Sequence, residues 1–291
     1  MMRSFFLITL LLAAGTWCPA QVSGRCVLPL SIIDSESQSV IRVDVSDLKI
    51  RVGDATVPIL SLKKQAPSNV VLLLDSSRQM SGDNIQRNRQ LLLLYWLAAS
   101  APSQVGLLAY AGKIDGILQG KETVLSELRS RGSREEILGG ESAFMPALLQ
   151  TAKAMRSAPG GDAIFVIGPA FLPTLRSDRE ELLRILQQRG IRLFYMQFSF
   201  SNYRAHSNNL VAELTKEARE SGGEGFTWPE LSGPKSAIED VRDRLVNEMY
   251  RYFLVEFDRP SKEPQDAPII VTLTDSTSSA HLLFPARAIC K

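Results

Sequence analysis

The feature that most constrains this chain is a run of five apolar residues that ends in a carboxylate. Residues 70–74 are all valine or leucine, and Asp75, Ser76 and Ser77 follow directly. An unbroken apolar run bounded by polar turn residues is typical of a central strand that is buried on both faces. Open α/β sheets bind their ligands at the carboxyl ends of such strands. The sequence therefore predicts a binding edge at Asp75.

Strands and helices alternate after the Ala-Pro-Ser segment at 66–68. Such alternation predicts an α/β fold with a doubly wound, mostly parallel sheet and helices on both faces. The charged stretch 121–136 mixes both signs, and we expect a solvated face or a loop there rather than a binding tract. The predicted strands are 70–75, 105–111, 163–168, 192–198 and 225–228, and the predicted helices are 84–100, 142–156, 182–190, 210–218 and 238–249.

Both ends of the chain are rich in strand-forming residues, and Val52-Gly53-Asp54 marks a hairpin turn. We interpret the two ends as one small β module into which the α/β domain is inserted. The predicted boundaries are 1–20 for a signal peptide, 21–66 and 252–291 for the β module, and 67–251 for the inserted domain. The predicted strands of the β module are 27–33, 40–45, 48–52, 57–62, 252–257, 269–273 and 281–284.

The first twenty residues have the features of a signal peptide. Arg3 supplies the positive start, residues 5–14 form an apolar core, and Cys18-Pro19-Ala20 offers small residues for cleavage before Gln21. The apolar core is too short to cross a bilayer, which needs about 20 residues. We predict export to the periplasm or out of the cell, with no transmembrane segment. Because 33 basic residues face 31 acidic ones, a nucleic-acid partner is not expected.

Two cysteines remain after the predicted cleavage, Cys26 and Cys290. Disulfides form and persist in oxidising compartments, so in an exported protein these two residues are expected to pair. The alternative is two unrelated free thiols. A Cys26–Cys290 bond would place both ends of the chain in one module, as the strand pattern also predicts.

Five segments, in this order, carry a resemblance to a known family. The mature chain resembles the exported von Willebrand factor A-related proteins found mainly in acidobacteria, and its inserted domain resembles a von Willebrand factor type A domain. The resemblance implies a protein-binding domain of the doubly wound class. The segments are the lead-in strands 40–62, the strand and turn 70–80, Gly139-Gly140 with Ser142-Ala143-Phe144, the turn Ser221-Gly222-Gly223, and the closing strands 250–288.

The resemblance also implies a metal site built from three loops, and this chain departs from it. Asp75 and Ser77 match the family pattern, whereas Gln79 stands where a second serine is expected. Ser142 can replace the family's threonine, with Glu141 inserted before it, and Pro169 occupies the place of an aspartate. A magnesium ion needs six oxygen ligands, and a proline side chain offers none. We therefore expect a degenerate site and no bound metal. The alternative is a weak Mg-type site at Asp75, Ser77 and Ser142.

Loops after parallel strands share one edge of the sheet, and in this chain they carry apolar side chains. Such residues suit a dry protein–protein contact with aromatic anchors. The alternative is that they are ordinary core residues beneath the loops. The predicted partner-binding residues are Met80, Met145, Phe171, Phe200 and Tyr203.

Enzyme motifs are absent from the sequence. Only two histidines occur, His206 and His281, and no Gly-x-Ser-x-Gly elbow, complete phosphate loop or Gly-x-Gly-x-x-Gly turn is present. We predict an exported, non-enzymatic protein-binding or assembly protein with no catalytic residues and no cofactor. The alternative function is a metal-dependent adhesion or ligand-binding receptor, and a purely structural role in the envelope is a third possibility. The sequence does not identify the partner or the oligomeric state.

Overall fold

A computed structural model describes most of the chain after the predicted signal peptide. The described residues are 24–34, 43–77, 84–102, 104–133, 142–155, 160–169, 175–198, 208–227, 235–264, 267–274 and 280–290. The signal peptide prediction lies outside them, as do Gln79, Met80, Phe171, Phe200 and Tyr203. Among the described helices, none is long and apolar enough to cross a membrane.

The centre of the molecule is a six-stranded sheet whose strands are parallel except for one edge strand. Its spatial order is β10-β9-β8-β5-β6-β7, with only β7 antiparallel. Starting from β5, the chain builds the sheet to one side and then, from β8, to the other, so the winding reverses between these two strands. The predicted doubly wound α/β class is confirmed. The strands are β5 (Asn69–Asp75), β6 (Gln104–Tyr110), β7 (Leu118–Gln119), β8 (Asp162–Pro169), β9 (Ile191–Phe198) and β10 (Glu224–Thr227).

Six helices cover this sheet, three on each face. The first face packs against α1 (Asn84–Ser100), α2 (Lys121–Ser133) and α6 (Lys235–Tyr250), with Leu94, Leu128 and Leu245 in one core cluster. The second face packs against α3 (Phe144–Ala154), α4 (Arg176–Arg189) and α5 (Asn208–Glu220), with Leu148 and Leu186 in another. Burial on both faces explains why the central strands are apolar without alternation.

For the charged stretch 121–136, the solvated-face alternative holds over the described part and the loop alternative is wrong, because residues 121–133 form α2. Val124, Leu125 and Leu128 are buried and recur at helical spacing. The charged residues between them form the solvated face of an amphipathic helix. Mixed charge therefore concealed a narrow apolar stripe that packs on the sheet.

Two further sheets are built from both ends of the chain. β1 pairs with β11, β13 and β14, and β11 pairs with β4, while the second sheet has the order β12-β2-β3. The two sheets enclose a third core cluster that includes Leu28, Ile50 and Val255. The strands are β1 (Arg25–Asp34), β2 (Leu48–Val52), β3 (Ala55–Val57), β4 (Ile59–Gln65), β11 (Tyr252–Asp258), β12 (Ile269–Leu273), β13 (Ala280–Leu283) and β14 (Ile289–Cys290).

The predicted Cys26–Cys290 disulfide is present, and it joins β1 to β14 at facing positions. The first and last segments thus share one sheet, as the β-module interpretation requires. The proposed boundaries 21–66, 67–251 and 252–291 stay a prediction.

Two strand predictions near the amino end were wrong in part. The described end of segment 40–45 is not a strand, because Val45–Asp47 forms a 3-10 turn and the Asp44 N–H donates to Asp47 Oδ2 at 2.8 Å. The predicted strand 57–62 is divided between β3 and β4. Pro58 lies at the break, where it has no N–H to contribute to a strand ladder.

The sheets from the chain ends pack against the amino edge of the parallel sheet. Gly160 and Gly190 precede β8 and β9 with φ values of +112° and +66°. A Cβ on Gly190 would overlap Ile289 of β14, so a bare glycine notch receives this side chain. The described parts of the chain ends therefore occupy the amino edge of the parallel sheet.

Candidate functional site

The candidate site begins at Asp75, the last residue of β5. Asp75 is 3% exposed, and its Oδ1 accepts a hydrogen bond from the Ser77 N–H at 2.8 Å. Its Oδ2 accepts one from the Ser142 hydroxyl, also at 2.8 Å. The predicted trio of Asp75, Ser77 and Ser142 is thus brought together, across 67 residues of sequence in the case of Ser142.

Backbone hydrogen bonds hold the loops of this site in place. The Ser76 N–H donates to the Tyr110 carbonyl at 2.7 Å, which joins the turn after β5 to the end of β6. The Ala143 N–H donates to the Ala111 carbonyl at 2.9 Å, which brings the start of α3 to the same place. Asp75 lies at the point where the winding of the sheet reverses, and such a crevice is where doubly wound sheets bind ligands.

Tyr110 is a site residue that the sequence did not indicate. Its side chain is fully buried, and its hydroxyl oxygen lies 3.4 Å from the Ile167 carbonyl oxygen on β8 and within hydrogen-bonding reach of Asp75. Burial and the nearby carboxylate of Asp75 raise the Tyr110 pKa well above its ordinary value. Tyr110 therefore stays a neutral phenol, and it ties β6 to β8 beneath Asp75. As the last residue of an apolar strand, it gave no polar pattern to find.

Burial dominates the electrostatics of Asp75. It raises the pKa of this carboxyl, and the hydrogen bonds from Ser77, Ser142 and Tyr110 oppose the rise without cancelling it. The ionised form is thus less stable in the folded protein than in water. A carboxylate kept under such conditions is more typical of functional sites than of ordinary structural positions, although structural networks also shift pKa values.

Arg131 of α2 reaches the rim of the site. Its Nη1 lies 3.5 Å from Ser76 Oγ, and its Nε donates to Glu127 Oε1 at 2.6 Å. Its Nη2 is 4.0 Å from Asp115 Oδ2, and Arg87 donates to its carbonyl at 2.7 Å. The mixed charges of residues 121–136 predict a solvated face or a loop, so the sequence does not indicate this contact. It supplies a positive group beside the turn after β5.

Two predicted positions have a different outcome. Pro169 ends β8, and its backbone pairs with Phe198 of β9. Met145 was predicted to bind a partner, but it is 5% exposed and belongs to the core cluster beneath α3. That prediction was wrong for Met145, because the second residue of α3 faces the sheet. The core alternative holds for this residue.

The described donors fit a dedicated magnesium site poorly. They comprise one carboxylate and the hydroxyls of Ser77 and Ser142, and the carboxylate already accepts two short hydrogen bonds. Asp75 is 3% and Ser77 0% exposed, whereas magnesium usually keeps several water ligands. Within the described residues, no group of three or more His, Cys, Asp and Glu side chains could hold a metal ion.

No protein-family model matches this chain, and no curated protein sequence does. A von Willebrand factor type A protein from Catenulispora acidiphila matches over 92% of this chain and 74% of its own, at 11% identity and a TM-score of 0.46. BatB from Bacteroides thetaiotaomicron matches over 62% of this chain and 98% of its own, at 14% identity and a TM-score of 0.47. Human Sec24c matches over 78% of this chain at 12% identity and a TM-score of 0.47, but this chain spans only 44% of its length.

These similarities concern the fold alone. The doubly wound architecture predicted from the sequence is present, with helices on both faces of the sheet and additional antiparallel sheets from the chain ends. At such identities and TM-scores, the activities and partners of the similar proteins give no information about this chain.

Proposed function

We propose that this chain is an exported, non-enzymatic protein-binding or assembly protein that recognises a partner at the carboxyl edge of its parallel sheet, without a bound metal. The supporting observation is a difference in loop length between the two edges. Residues 76–83, 170–175, 199–207 and 228–234 connect strands to helices at the carboxyl edge. At the other edge, residues 101–103, 190, 221–223 and 251 are short connections from helices to strands, and 155–161 is one of similar length to those at the carboxyl edge. Long loops on a rigid sheet are where proteins commonly place recognition residues.

Leu175 supports an apolar contact at this edge. It immediately precedes α4, at the end of the connection from β8, and its side chain is 68% exposed. This is the largest exposure of any large hydrophobic residue in the described part of the chain. The predicted anchors Phe171, Phe200 and Tyr203 belong to connections at the same edge. A leucine so exposed costs little in a monomer, and it gains binding energy when a partner covers it.

The hydrogen bonds to both carboxylate oxygens of Asp75 support recognition without a metal bridge. A bridging ion needs an open coordination position that the partner can fill, and both oxygens of this carboxylate are occupied by donors from two loops. The alternative, a metal-dependent adhesion or ligand-binding receptor, draws on the same geometry, because Ser77 and Ser142 hold their hydroxyl groups close to Asp75. Titration with Mg²⁺ separates the two.

A non-enzymatic role fits the chemistry of the site. Nucleophilic catalysis needs a base next to a hydroxyl or thiol, oriented by a third group. The site hydroxyls face a hydrogen-bonded carboxylate, and His281, the histidine within the described residues, contacts Glu224 instead. Export is supported by the features of residues 1–20. The disulfide is typical of proteins outside the reducing cytosol.

The proposal is tested by quantitative capture from the envelope fraction of the source organism with three immobilised proteins: the native chain, Leu175→Ser and Leu60→Ser. Leu60 is the matched control, because it is 44% exposed but lies on β4, in the sheets of the chain ends. We expect Leu175→Ser to lose at least about tenfold of the captured partner, equivalent to roughly 1.4 kcal/mol. Leu60→Ser should keep it, and all three should unfold at the same urea concentration.

A chelator arm completes the experiment. Capture that is unchanged in EDTA supports recognition without a metal. Capture that EDTA abolishes and Mg²⁺ restores would favour the metal-dependent receptor over this proposal. In that case, calorimetric titration should detect Mg²⁺ binding to the native chain but not to Asp75→Ala. Equal capture by Leu175→Ser and the native chain would contradict recognition at this edge.

A further inference from the structure

A second buried polar cluster lies where the carboxyl-terminal strands meet the α/β unit. Glu224 of β10 and Glu248 of α6 are 1% and 0% exposed. Glu224 Oε1 accepts hydrogen bonds from Arg219 Nε and from the Gly225 N–H, both at 2.9 Å. Glu248 Oε1 accepts one from Arg244 Nε at 2.7 Å. Both carboxyl groups are thus buried, each accepts hydrogen bonds through one oxygen, and Glu224 is near enough to influence the charge of Glu248.

Glu248 Oε2 has no hydrogen-bond partner within the described part of the chain, and Glu224 Oε2 faces His281 Nε2 at 3.4 Å. An ionised carboxylate with an unsatisfied buried oxygen is costly, because it has lost water without a replacement. A proton on Glu248 would remove this cost and the repulsion from the nearby charge of Glu224.

His281 connects this pair to the carboxyl-terminal strands. It lies on β13, and its Nε2 is 3.4 Å from Glu224 Oε2. The segment that follows β13 contacts the α5–β10 turn next to the pair. Pro285 forms a bridge with Ser221, and the Ala286 N–H donates to the Glu220 carbonyl at 3.0 Å. Because these contacts lie next to the cluster, its protonation can change how tightly the last strands pack against the α/β unit.

We propose that Glu224, Glu248 and His281 form a proton-sensitive joint that holds the carboxyl-terminal strands against the α/β unit more tightly in mildly acidic than in alkaline surroundings. The Cys26–Cys290 bond keeps β14 attached to β1 when the joint loosens, so that opening is local and reversible. The charged groups that face the joint are Arg219 of α5, Arg244 of α6 and Arg192 of β9.

The two titrating groups act with opposite sign. Burial raises the pKa of Glu248 to about 7, opposed by Arg244 and Arg192 and assisted by Glu224. The folded protein then binds a proton that the unfolded chain has released, so Glu248 makes the fold less stable as pH rises from its ordinary pKa of 4.5 through about 7. Burial lowers the pKa of His281, so His281 makes the fold less stable as pH falls below 6.5.

The test uses the full mature chain with its disulfide intact and five proteins: native, His281→Gln, Glu248→Gln, the double variant of these two substitutions, and Glu256→Gln. Glu256 is the control, a glutamate of β11 that pairs with Lys63 outside the joint. In His281→Gln, Glu248 is the titrating group that remains in the joint. The unfolding equilibrium constant of this variant in urea should rise about tenfold between pH 6 and pH 8, relative to that of the His281→Gln,Glu248→Gln double variant. The native chain should show a smaller rise, because His281 opposes it.

Hydrogen exchange at the Ala286 amide locates the effect. After correction for intrinsic rates, its protection should fall between pH 6 and pH 8 in the native chain and in Glu256→Gln. In Glu248→Gln it should stay constant or rise. If Glu248→Gln and the native chain have the same pH profile in both measurements, the joint does not respond to protons through Glu248. If the stability changes while Ala286 protection does not, the titration is not coupled to the carboxyl-terminal strands. Either outcome overturns the proposal.

Discussion

The two edges of the parallel sheet each bury a charged side chain, but they satisfy it differently. At the amino edge, Arg192 is 1% exposed and donates to the carbonyl oxygens of Gly161, Glu248 and Met249, and to Ser31 Oγ of β1. Its guanidinium also stacks over Tyr252, 4.3 Å from the ring centroid. At the carboxyl edge, Asp75 accepts hydrogen bonds from Ser77, Ser142 and Tyr110, which all lie at that same edge.

The two buried charges have different structural roles. The Arg192 contacts join β8, α6 and β1, so they hold the sheets of the chain ends on the α/β unit. Burial lowers the pKa of Arg192 to about 10, yet the guanidinium keeps its charge at neutral pH. The Asp75 contacts join the turn after β5 to the segment before α3 at the carboxyl edge, and burial disfavours the ionised form of this carboxyl group. One buried charge organises the assembly of the fold, whereas the other organises a loop surface.

The largest expected effect comes from removing the amino-edge charge. Arg192→Ala leaves several buried carbonyl oxygens without a donor and creates a cavity beside Tyr252. We expect a loss of about 3 kcal/mol or more in the free energy of unfolding, measured by urea denaturation. Arg184→Ala, at an exposed position of α4, is the matched control and should have no measurable effect. A native-like urea midpoint for Arg192→Ala would show that the packing of the chain-end sheets on the α/β unit does not depend on this residue.

An intermediate effect is expected from the glycine notch. In Gly190→Ala the new Cβ would lie 2.9 Å from Gly160 Cα and overlap Ile289, at a φ of +66° that alanine rarely adopts. We expect a loss of about 2 kcal/mol in thermal or urea unfolding. Gly132→Ala in α2 is the control, since nothing lies within 4 Å of its Cβ, and it should be neutral or stabilise by about 0.5 kcal/mol. Equal effects of the two substitutions would argue against a packed notch.

The smallest effect on stability is expected at the carboxyl edge. Asp75→Asn keeps the shape and the acceptor for the Ser77 N–H but removes the buried charge. Since the Asp75 pKa is raised, the native protein should lose stability as pH rises through that pKa, and the variant should lack this loss. At pH 7 we expect no loss greater than about 1 kcal/mol, the net contribution of one hydrogen bond. Urea midpoints between pH 4 and pH 7 check this. A loss comparable to that of Arg192→Ala would make Asp75 a structural residue like Arg192.

Much of the fold followed from local pattern. The uninterrupted apolar strands predicted a sheet buried on both faces, and the strands at both ends, with one cysteine each, predicted that the ends share a module. The failures also have local causes. Pro58 divides a strand that its apolar neighbours favour, and in α2 a stripe of three buried residues is obscured by the charges around it.

The candidate site was predicted less completely than the fold. Asp75, Ser77 and Ser142 were found because a family pattern and the position after a strand both pointed to them. Tyr110 and Arg131 were not, because each enters the site through contacts between residues far apart in the chain. Met145 was assigned to the surface because its sequence position does not tell which face of α3 meets the sheet.

Residue periodicity predicts most of the strands and helices and the burial of the central strands, and the residues after β5 show which chemical groups are available there, because these properties depend on neighbours along the chain. Packing in three dimensions settles which charges become buried, which edge the chain ends occupy and which charged groups influence one another. Arg192, Glu224 and Glu248 look like ordinary surface residues in the sequence. Their desolvation arises only when separate elements close around them.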